Sequence, residues 1–240
     1  TLTAGNTSSF TFKTLLNISD NQSHKITVVQ LKTGDVNPLN DTLVVTGIRF
    51  IKRVTALPFL DNFESTGSPF YTEGTNSSWE VGTPTGPVIQ YAATGNKCWS
   101  TGLGSDYNNN ELSYLYSPCF NLTNASTDLK LSFHNTHNME SGYDAYWLEY
   151  STDLVTWTRL GTGGTNYNWY NLMCPYYLWD NTRSSWKVTG VESPVSSISN
   201  KQNGQVRFVM YSDQDVRDYG PNSDDFHLFD SSAGVYSGTT

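Results

Sequence analysis

The sequence has little positive charge and few histidines, and both shortages exclude classes of function. Only 14 of its 240 residues are Lys or Arg, they are scattered along the chain, and the net charge is -8. Nucleic-acid binding needs Lys and Arg clustered against phosphates, so we expect no nucleic-acid partner. The 4 histidines form no HExxH motif, and the sequence has no GxSxG elbow. Neither a zinc peptidase nor an α/β-hydrolase is therefore indicated.

Long apolar runs are also missing. No stretch approaches the roughly 18 apolar residues that a membrane-spanning helix needs, and no basic segment precedes an apolar run, so we expect no membrane insertion. With 37% hydrophobic, 14% aromatic and only 15% charged residues, the chain has enough apolar surface for one substantial core and a smaller neighbour. We expect it to be a piece of a longer multidomain polypeptide that is secreted or held at the cell surface.

The clearest local pattern is strict alternation between residues 143 and 169. Tyr146, Leu148 and Tyr150 define an apolar face, and Trp147 and Glu149 lie on the opposite one. This alternation predicts a strand, a hairpin and a second strand. Short strands separated by Gly, Asn and Ser turns recur along the rest of the chain, with no sustained helical period. The predicted strands include Cys98–Thr101, Leu129–His134 and Gln205–Tyr211. The fold class is thus predicted to be all-β, an antiparallel two-sheet jelly-roll sandwich preceded by a partial β module.

Residues 1–55 form the predicted partial module, with strands at 9–15, 24–31 and 42–51. The turn GDVNPLND, Gly34–Asp41, lies between the second and third strands. This segment resembles the end of an Ig-like, cell-adhesion-related module of bacterial surface proteins. Asp35, Asn37 and Asp41 permit two interpretations, a calcium loop or Asx turns that cap a hairpin, and we favour the plain turn.

Residues 56–230 carry a second and longer resemblance. Colinear segments DNFES, SSWEVG, CWSTGL, LKLSFHN, VRFVMYSD and SDDFHLFD lie between Asp61 and Asp230. In this order they resemble the cleaved-adhesin and MAM-like jelly-roll domains of secreted bacterial proteases and adhesins. The resemblance implies a jelly-roll fold and, for most members, a non-catalytic role. The last segment, residues 231–240, is rich in Ser, Gly and Thr and is predicted to be a linker.

Acidic residues near both ends of this second segment predict a calcium site. The first and last strands of a jelly roll lie close together, so carboxylates from both are expected to converge. Calcium prefers six to eight oxygen ligands. The resemblance implies the same, since related jelly rolls hold structural calcium with an early Glu and a late Asp. The predicted ligands are Asp61, Glu64, Asp106, Asn108, Asp224 and Asp225.

A cluster of aromatic residues follows the hairpin and continues into the segment Met173–Ser185, an insertion that departs from the family pattern. Flat aromatic faces stack on the C–H surfaces of sugars, so this cluster is a candidate glycan-binding surface. The alternative is that the rings fill the core of the sandwich, and both interpretations remain open. The candidate ligand-binding residues are Trp169, Tyr170, Tyr176, Tyr177 and Trp179.

Other chemistry-bearing residues support catalysis poorly. His134 and His137 are three apart, which on a strand places them on opposite faces. Asp213 belongs to an acidic loop with Asp215 and Asp218, which is more typical of a solvated or cation-contacting loop than of an acid and base pair. Among the three cysteines, a bridge between Cys98 and Cys119 is the preferred pairing in an oxidising compartment; the alternative is that all three are reduced and buried.

These observations favour a non-catalytic adhesion or binding module that is stabilised by calcium. The expected partner is a glycan or a host or cell-surface protein. The alternative is a carbohydrate-binding accessory module of a secreted glycosidase or protease.

Overall fold

The computed structural model describes residues 9, 11, 24–30, 33–34, 41–161, 168–171, 176–190 and 195–233. The chain divides into two compact units, Thr1–Ile51 and Lys52–Thr240. The strands of the described residues are β1 His24–Val29, β2 Thr42–Ile48, β3 Arg53–Val54, β4 Phe59–Asp61, β5 Tyr71–Thr75, β6 Trp79–Gly82, β7 Cys98–Thr101, β8 Leu112–Tyr116, β9 Cys119–Phe120, β10 Leu129–Asn138, β11 Ala145–Ser151, β12 Thr158–Arg159, β13 Thr182–Thr189, β14 Gln205–Tyr211 and β15 Gly220–Asp230.

The first unit contains one described hairpin. Strands β1 and β2 pair antiparallel, from His24 opposite Ile48 to Val29 opposite Thr42. The backbone N–H of Gln30 donates to the carbonyl of Asp41 at 2.8 Å, which closes the ladder at the connecting turn. Of the predicted first strand, 9–15, the structure describes only positions 9 and 11. Positions 35–40 of the turn, which include Asp35 and Asn37, lie outside the described residues.

The second unit is an all-β sandwich, as predicted. One sheet has the order β13-β10-β15-β7-β6, with β4 also paired to β15. The facing sheet has the order β12-β11-β14-β8-β5. The pairing of β4 with β15, from Phe59 opposite Leu228 to Asp61 opposite Phe226, confirms that the early and late strands are neighbours.

Alternation along the strands explains why the two sheets pack together. In β10, Leu129, Leu131 and Phe133 point inward and are buried. Strand β14 contributes Phe208, whose ring meets that of Phe133 edge to face with centroids 5.0 Å apart and planes at 88°. Burying these rings and aliphatic chains removes apolar surface from water, which is the main favourable term in folding. The core therefore lies between the two sheets.

The described helices are short 3-10 turns, at Ser196–Ile198 and Ser231–Ala233. Within the described residues, no helix combines the length and hydropathy that crossing a membrane requires.

Candidate functional site

Three of the five predicted ligand-binding aromatics lie in the core of the sandwich. Trp179 has no exposed surface, and Trp169 and Tyr170 are almost completely buried. The hydroxyl of Tyr170 donates to the carbonyl of Leu160 at 2.7 Å. The prediction of an exposed aromatic platform is therefore wrong for these three residues. Large rings gain more by leaving water and packing on one another than by standing at the surface, which is the alternative that the sequence left open.

The cause of this burial is a local backbone pairing. Trp179 forms an isolated antiparallel bridge with Tyr146 of β11. Two backbone hydrogen bonds make the bridge, from Tyr146 N to Trp179 O at 3.0 Å and from Trp179 N to Tyr146 O at 2.9 Å. The inserted segment is thereby held against the edge of the sandwich, and its indole points inward. Tyr177 packs against the same core, whereas Tyr176 is 61% exposed.

Tyr176 contributes to a surface groove that the sequence did not predict. We call it the tyrosine groove, and its volume is about 530 Å³. Its two most exposed rings are Tyr143, at 64%, and Tyr176, while Tyr211 is 43% exposed. The residues that line it are Gly142, Tyr143, Asp144, Ala145, Trp147, Arg159, Tyr176, Leu178, Asp180 and Tyr211.

Strand geometry explains why these side chains meet. Ala145 of β11 lies opposite Tyr211 of β14, at the end of the ladder between the two strands. Trp147 lies two residues further along β11, so it shares the outward face with Ala145. Its indole Nε1 donates to Glu149 Oε1 at 2.8 Å. The outward face of the hairpin, which the sequence did predict, thus provides the floor of the groove.

A neighbouring part of the same outward face is filled by the protein's own charges. Arg207 donates to Glu149 Oε2 at 2.8 Å from Nε and at 2.6 Å from Nη2. Its guanidinium carbon lies 4.0 Å from the ring centroid of Tyr114 and 4.1 Å from that of Trp157. Such cation–π stacking and bidentate pairing stabilise the sheet surface. The surface around Arg207 is therefore occupied by the protein's own side chains, in contrast to the tyrosine groove.

Arg159 occupies the groove without such a partner. Its guanidinium carbon lies 4.2 Å from the ring centroid of Trp147. Nη1 donates to the carbonyls of Tyr176 and, at 3.1 Å, Tyr177. No carboxylate among the described residues lies within ion-pair distance of it. Burial lowers the pKa of Arg159, because a partly desolvated cation is less favourable than a solvated one.

The carboxylates that line the groove are, in contrast, already bonded. Asp180 Oδ2 accepts from the backbone N–H of Gly142 at 3.1 Å. Its Oδ1 accepts from Asn171 Nδ2 at 3.3 Å. Asp144 Oδ2 accepts from the hydroxyl of Tyr107, and its Oδ1 accepts from the backbone N–H of Asp213 at 2.9 Å. The internal hydrogen bonds hold these acidic groups in place.

Asp144 also belongs to a group of three carboxylates that could hold a metal ion. Glu140, Asp144 and Asp213 each offer an oxygen, and the three oxygens lie within 4.8 Å of one another. Glu140 Oε2 is buried and has no hydrogen-bond partner. Burial, followed by the nearby charges of Asp213 and Asp144, raises the pKa of Glu140. Of the three residues, the sequence analysis singled out only Asp213, as part of a solvated or cation-contacting loop.

The predicted calcium ligands do not form one shell. Among the described residues, no three carboxylates of that set offer oxygens within the same 4.8 Å. Asp61 instead accepts from Phe63 N and Ser68 Oγ. Asn108 lies in another loop, where its N–H donates to Glu111 Oε2 at 3.2 Å, and Asp106 is two residues before it.

Glu64, Asp224 and Asp225 are nevertheless neighbours. Glu64 Oε1 accepts from the backbone N–H groups of Asn96 and Lys97 at 2.8 and 2.7 Å. These two bonds are the main reason that the pKa of Glu64 is lowered, and the charge of Asp225 opposes the change. The loop around residues 94–97 also bonds both aspartates, because Thr94 donates to Asp224 from N and to Asp225 from Oγ1. The early Glu and the late Asp pair therefore share one loop.

The histidines lie in unrelated surroundings. His134 Nδ1 lies 2.9 Å from Asp225 Oδ2. His137 is buried, and burial lowers its pKa to about 3, so its imidazole is neutral at physiological pH.

Cys98 and Cys119 are both buried and unpaired, so the preferred bridge between them is not formed. Cys98 lies in β7 of one sheet, and Cys119 lies in β9, which pairs parallel with β3 outside that sheet. The two cysteines lie in strand segments that are near one another in the sequence, but these strands are not paired in the fold. The third cysteine, Cys174, lies outside the described residues.

Comparison with known sequences finds similarity to a peptidase. Bacillopeptidase F of Bacillus subtilis (strain 168) is 30% identical to the chain over 178 residues, which are 73% of this chain and 11% of that protein. The chain thus spans about a tenth of the length of that relative. No family model matches the sequence.

Comparison with solved structures finds cleaved-adhesin domains and a carbohydrate-binding module. The K1 Cleaved Adhesin domain of Lys-gingipain from Porphyromonas gingivalis W83 has 16% identity and a TM-score of 0.43, over 72% of this chain and 98% of that domain. The K2 Cleaved Adhesin Domain of Lys-gingipain has 18% identity and a TM-score of 0.44, over 72% and 97%. The carbohydrate-binding module TmCBM61, solved with beta-1,4-galactotriose, has 12% identity and a TM-score of 0.40, over 68% and 90%.

Proposed function

We propose that this chain is a non-catalytic binding module of a larger secreted or cell-surface protein, and that it binds a glycan in the tyrosine groove. The observation that carries the proposal is the pair of largely exposed rings, Tyr143 and Tyr176, on the lining of one groove. Exposed aromatic side chains that share a concave surface with a few fixed polar groups are typical of ligand sites.

Sugars require both kinds of group. Their C–H faces pack against aromatic rings, and their hydroxyls need donors and acceptors that are already in position. Asp180 and Arg159 supply polar atoms at the groove, and each is fixed by hydrogen bonds to the protein. Because these groups are ordered before binding, little conformational entropy is lost when a sugar enters. A host or cell-surface protein is the other ligand class that we consider, and the exposed tyrosines would serve as its anchor residues.

The larger protein is part of the proposal as well. The relative matched by sequence is named as a peptidase, and the match covers only a small part of its length. This supports an accessory module attached to a secreted protease, which is one of the two kinds of parent enzyme that the sequence suggested. The module itself would bind and the remainder of the polypeptide would supply any catalysis.

We also propose that calcium stabilises the module at Glu140, Asp144 and Asp213. The three carboxylates fit a hard cation, because calcium takes oxygen ligands and neutralises charges that otherwise repel one another. The buried, unbonded Oε2 of Glu140 supplies a further reason, since a buried polar atom without a partner is costly. Asp144 lines the tyrosine groove, so the ion would hold one wall of the groove in place. The neighbours Glu64, Asp224 and Asp225 remain a second candidate for the same ion.

The test of glycan binding is an array of oligosaccharides, followed by calorimetric titration with the best ligand. We expect Tyr143→Ala and Tyr176→Ala each to weaken binding by more than about 1 kcal/mol, as for exposed anchor residues. The matched control is Tyr91→Ala, because Tyr91 is 66% exposed and does not line the groove. Unchanged affinity in both groove variants would reject the groove as the binding site.

A further inference from the structure

We propose that the tyrosine groove selects an acidic sugar, and that Arg159 binds its carboxylate. This inference rests on the proposed function, since it names the class of glycan that the groove would take. The structural basis is the hydrogen bonding of the guanidinium, the charge of the other lining residues and the position of the rings.

The first observation is the edge of Arg159 that remains without a partner. Within the described residues, the side chain of Arg159 donates two hydrogen bonds, both from Nη1, to the carbonyls of Tyr176 and Tyr177. In the described part of the chain, Nε and Nη2 donate to no protein atom. Neither nitrogen is among the buried atoms that lack a partner, so both are reachable from solvent. The parallel N–H groups of Nε and Nη2 are the fork that binds a carboxylate in bidentate fashion.

The second observation is the contrast with Arg207 on the same sheet surface. Arg207 uses this same pair, Nε and Nη2, to bind Glu149 Oε2. The remaining oxygen of Glu149 accepts from Trp147. Both oxygens of Glu149 therefore already accept hydrogen bonds, and Glu149 forms no ion pair with Arg159, although Arg159 lies opposite it in the ladder between β11 and β12. The protein thus satisfies one of the two arginine forks internally and leaves the other open at the groove.

Charge at the groove favours a single carboxylate over a phosphate. Arg159 is the one Lys or Arg among the described residues that line the groove, and Asp144 and Asp180 line it too. A planar monoanion is neutralised by one guanidinium, whereas a dianionic phosphate would leave excess negative charge beside two aspartates. The net charge of -8 opposes anions at long range, but salt screens this repulsion at separations greater than about 8 Å under physiological conditions.

The rings determine what carries the carboxylate. Trp147 is covered by the guanidinium of Arg159, at 4.2 Å, whereas Tyr143 and Tyr176 are largely exposed. A sugar ring stacked on either tyrosine would place a carboxylate substituent within the same groove as the open fork. A uronic acid residue has this combination, an apolar C–H face and a carboxylate on one ring. Partial burial of Arg159 strengthens the pairing, because an ion pair in a partly desolvated site is screened less than one in water.

The experiment measures binding of uronic-acid oligosaccharides and of the same oligosaccharides after chemical reduction of the carboxylate to a hydroxymethyl group. Three probes are used, prepared from polygalacturonate, alginate and hyaluronate. We expect at least one acidic probe to bind about tenfold more tightly than its reduced counterpart, a preference that falls as salt rises. Arg159→Gln should remove the preference for the acidic probe over its reduced counterpart. Arg217→Gln is the matched control, because Arg217 is exposed and does not line the groove.

Arg159→Lys covers the case in which Arg159→Gln does not fold. The lysine keeps the charge but loses the bidentate fork, so the preference for the acidic probe should fall several-fold without a large change in melting temperature. Equal binding of acidic and reduced probes by the unmodified protein, with both weakened by Tyr143→Ala, overturns the inference and leaves the glycan function intact. Failure of every acidic and neutral sugar, on the array and in these titrations, overturns both.

Discussion

The indole of Trp179 stacks on the ring of Tyr146, with ring centroids 4.6 Å apart and planes at 26°. The backbones of the same two residues are paired by two hydrogen bonds. Trp179 also meets the rings of Trp169 and Tyr170, at centroid distances of 5.4 and 4.6 Å. A single residue of the insertion thus joins β11 to the aromatic end of the core, which makes it a structural residue and separates it from the exposed tyrosines nearby.

The first prediction concerns this residue. Trp179→Ala should lower the free energy of unfolding by about 3–5 kcal/mol, because it deletes a fully buried ring and leaves a cavity. Tyr176→Ala, three residues earlier and mostly exposed, should change it by no more than about 0.5 kcal/mol. Urea unfolding followed by tryptophan fluorescence and by circular dichroism measures both. Equal stabilities for Trp179→Ala and the unmodified protein would contradict the burial.

The second prediction concerns calcium at Glu140, Asp144 and Asp213. Free calcium at a hundredfold excess over its dissociation constant should stabilise the native state by about 2.7 kcal/mol, and chelation should reverse this. Asp213→Asn should remove most of the calcium-dependent shift in melting temperature. Asp225→Asn, in the second candidate group, should leave the shift unchanged. If Asp225→Asn removes the shift and Asp213→Asn does not, the ion binds at Glu64, Asp224 and Asp225. Identical melting temperatures with calcium and with chelator would exclude stabilisation by calcium.

The third prediction is a pH dependence that arises from Asp224. Burial raises its pKa from 3.8 to about 7, against the opposing effect of the hydrogen bond from Thr94. The native state therefore retains a proton that the unfolded chain loses near pH 4. This contribution to stability is complete below that pH and is lost as the pH rises toward 7, by about 1.4 kcal/mol per pH unit. Between pH 5 and 7, Asp224→Asn should show a flatter decline of melting temperature than the unmodified protein. Parallel profiles in the two proteins would contradict the assignment to Asp224.

The fourth prediction concerns the thiols of Cys98 and Cys119. Burial raises the pKa of both, which lowers the thiolate fraction, and thiolate is the reactive form. In a Cys174→Ser variant, a thiol reagent should react slowly with the native protein and should titrate two thiols in denaturant without reductant. If no thiol is titrated in denaturant, Cys98 and Cys119 form a disulfide and the prediction is wrong.

Strand content and core were readable from the sequence where alternation was strict. The predicted strands Cys98–Thr101 and Gln205–Tyr211 have the bounds that were expected. Strand β10 runs beyond its predicted end to Asn138, because β13 and β15 pair with it on both sides through a register shift. Polar residues such as Asn135 and Thr136 are buried there by their neighbours, and local propensity carries no sign of that.

The sequence by itself determined the all-β class and the inward and outward faces of the hairpin, since both follow from the period of two residues along a strand. The proximity of the early and late strands was expected only from the resemblance to jelly-roll domains. Only the tertiary structure decided which aromatics are core and which are surface. Tyr176 and Trp179 lie three residues apart in the same aromatic segment. The backbone bridge between Trp179 and Tyr146 holds the indole in the core, whereas Tyr176 stays exposed. Likewise, Glu140, Asp144 and Asp213 converge only because the end of β10, the start of β11 and the end of β14 lie close together. Convergence of side chains from distant segments depends on strand order and register, which are properties of the folded chain as a whole.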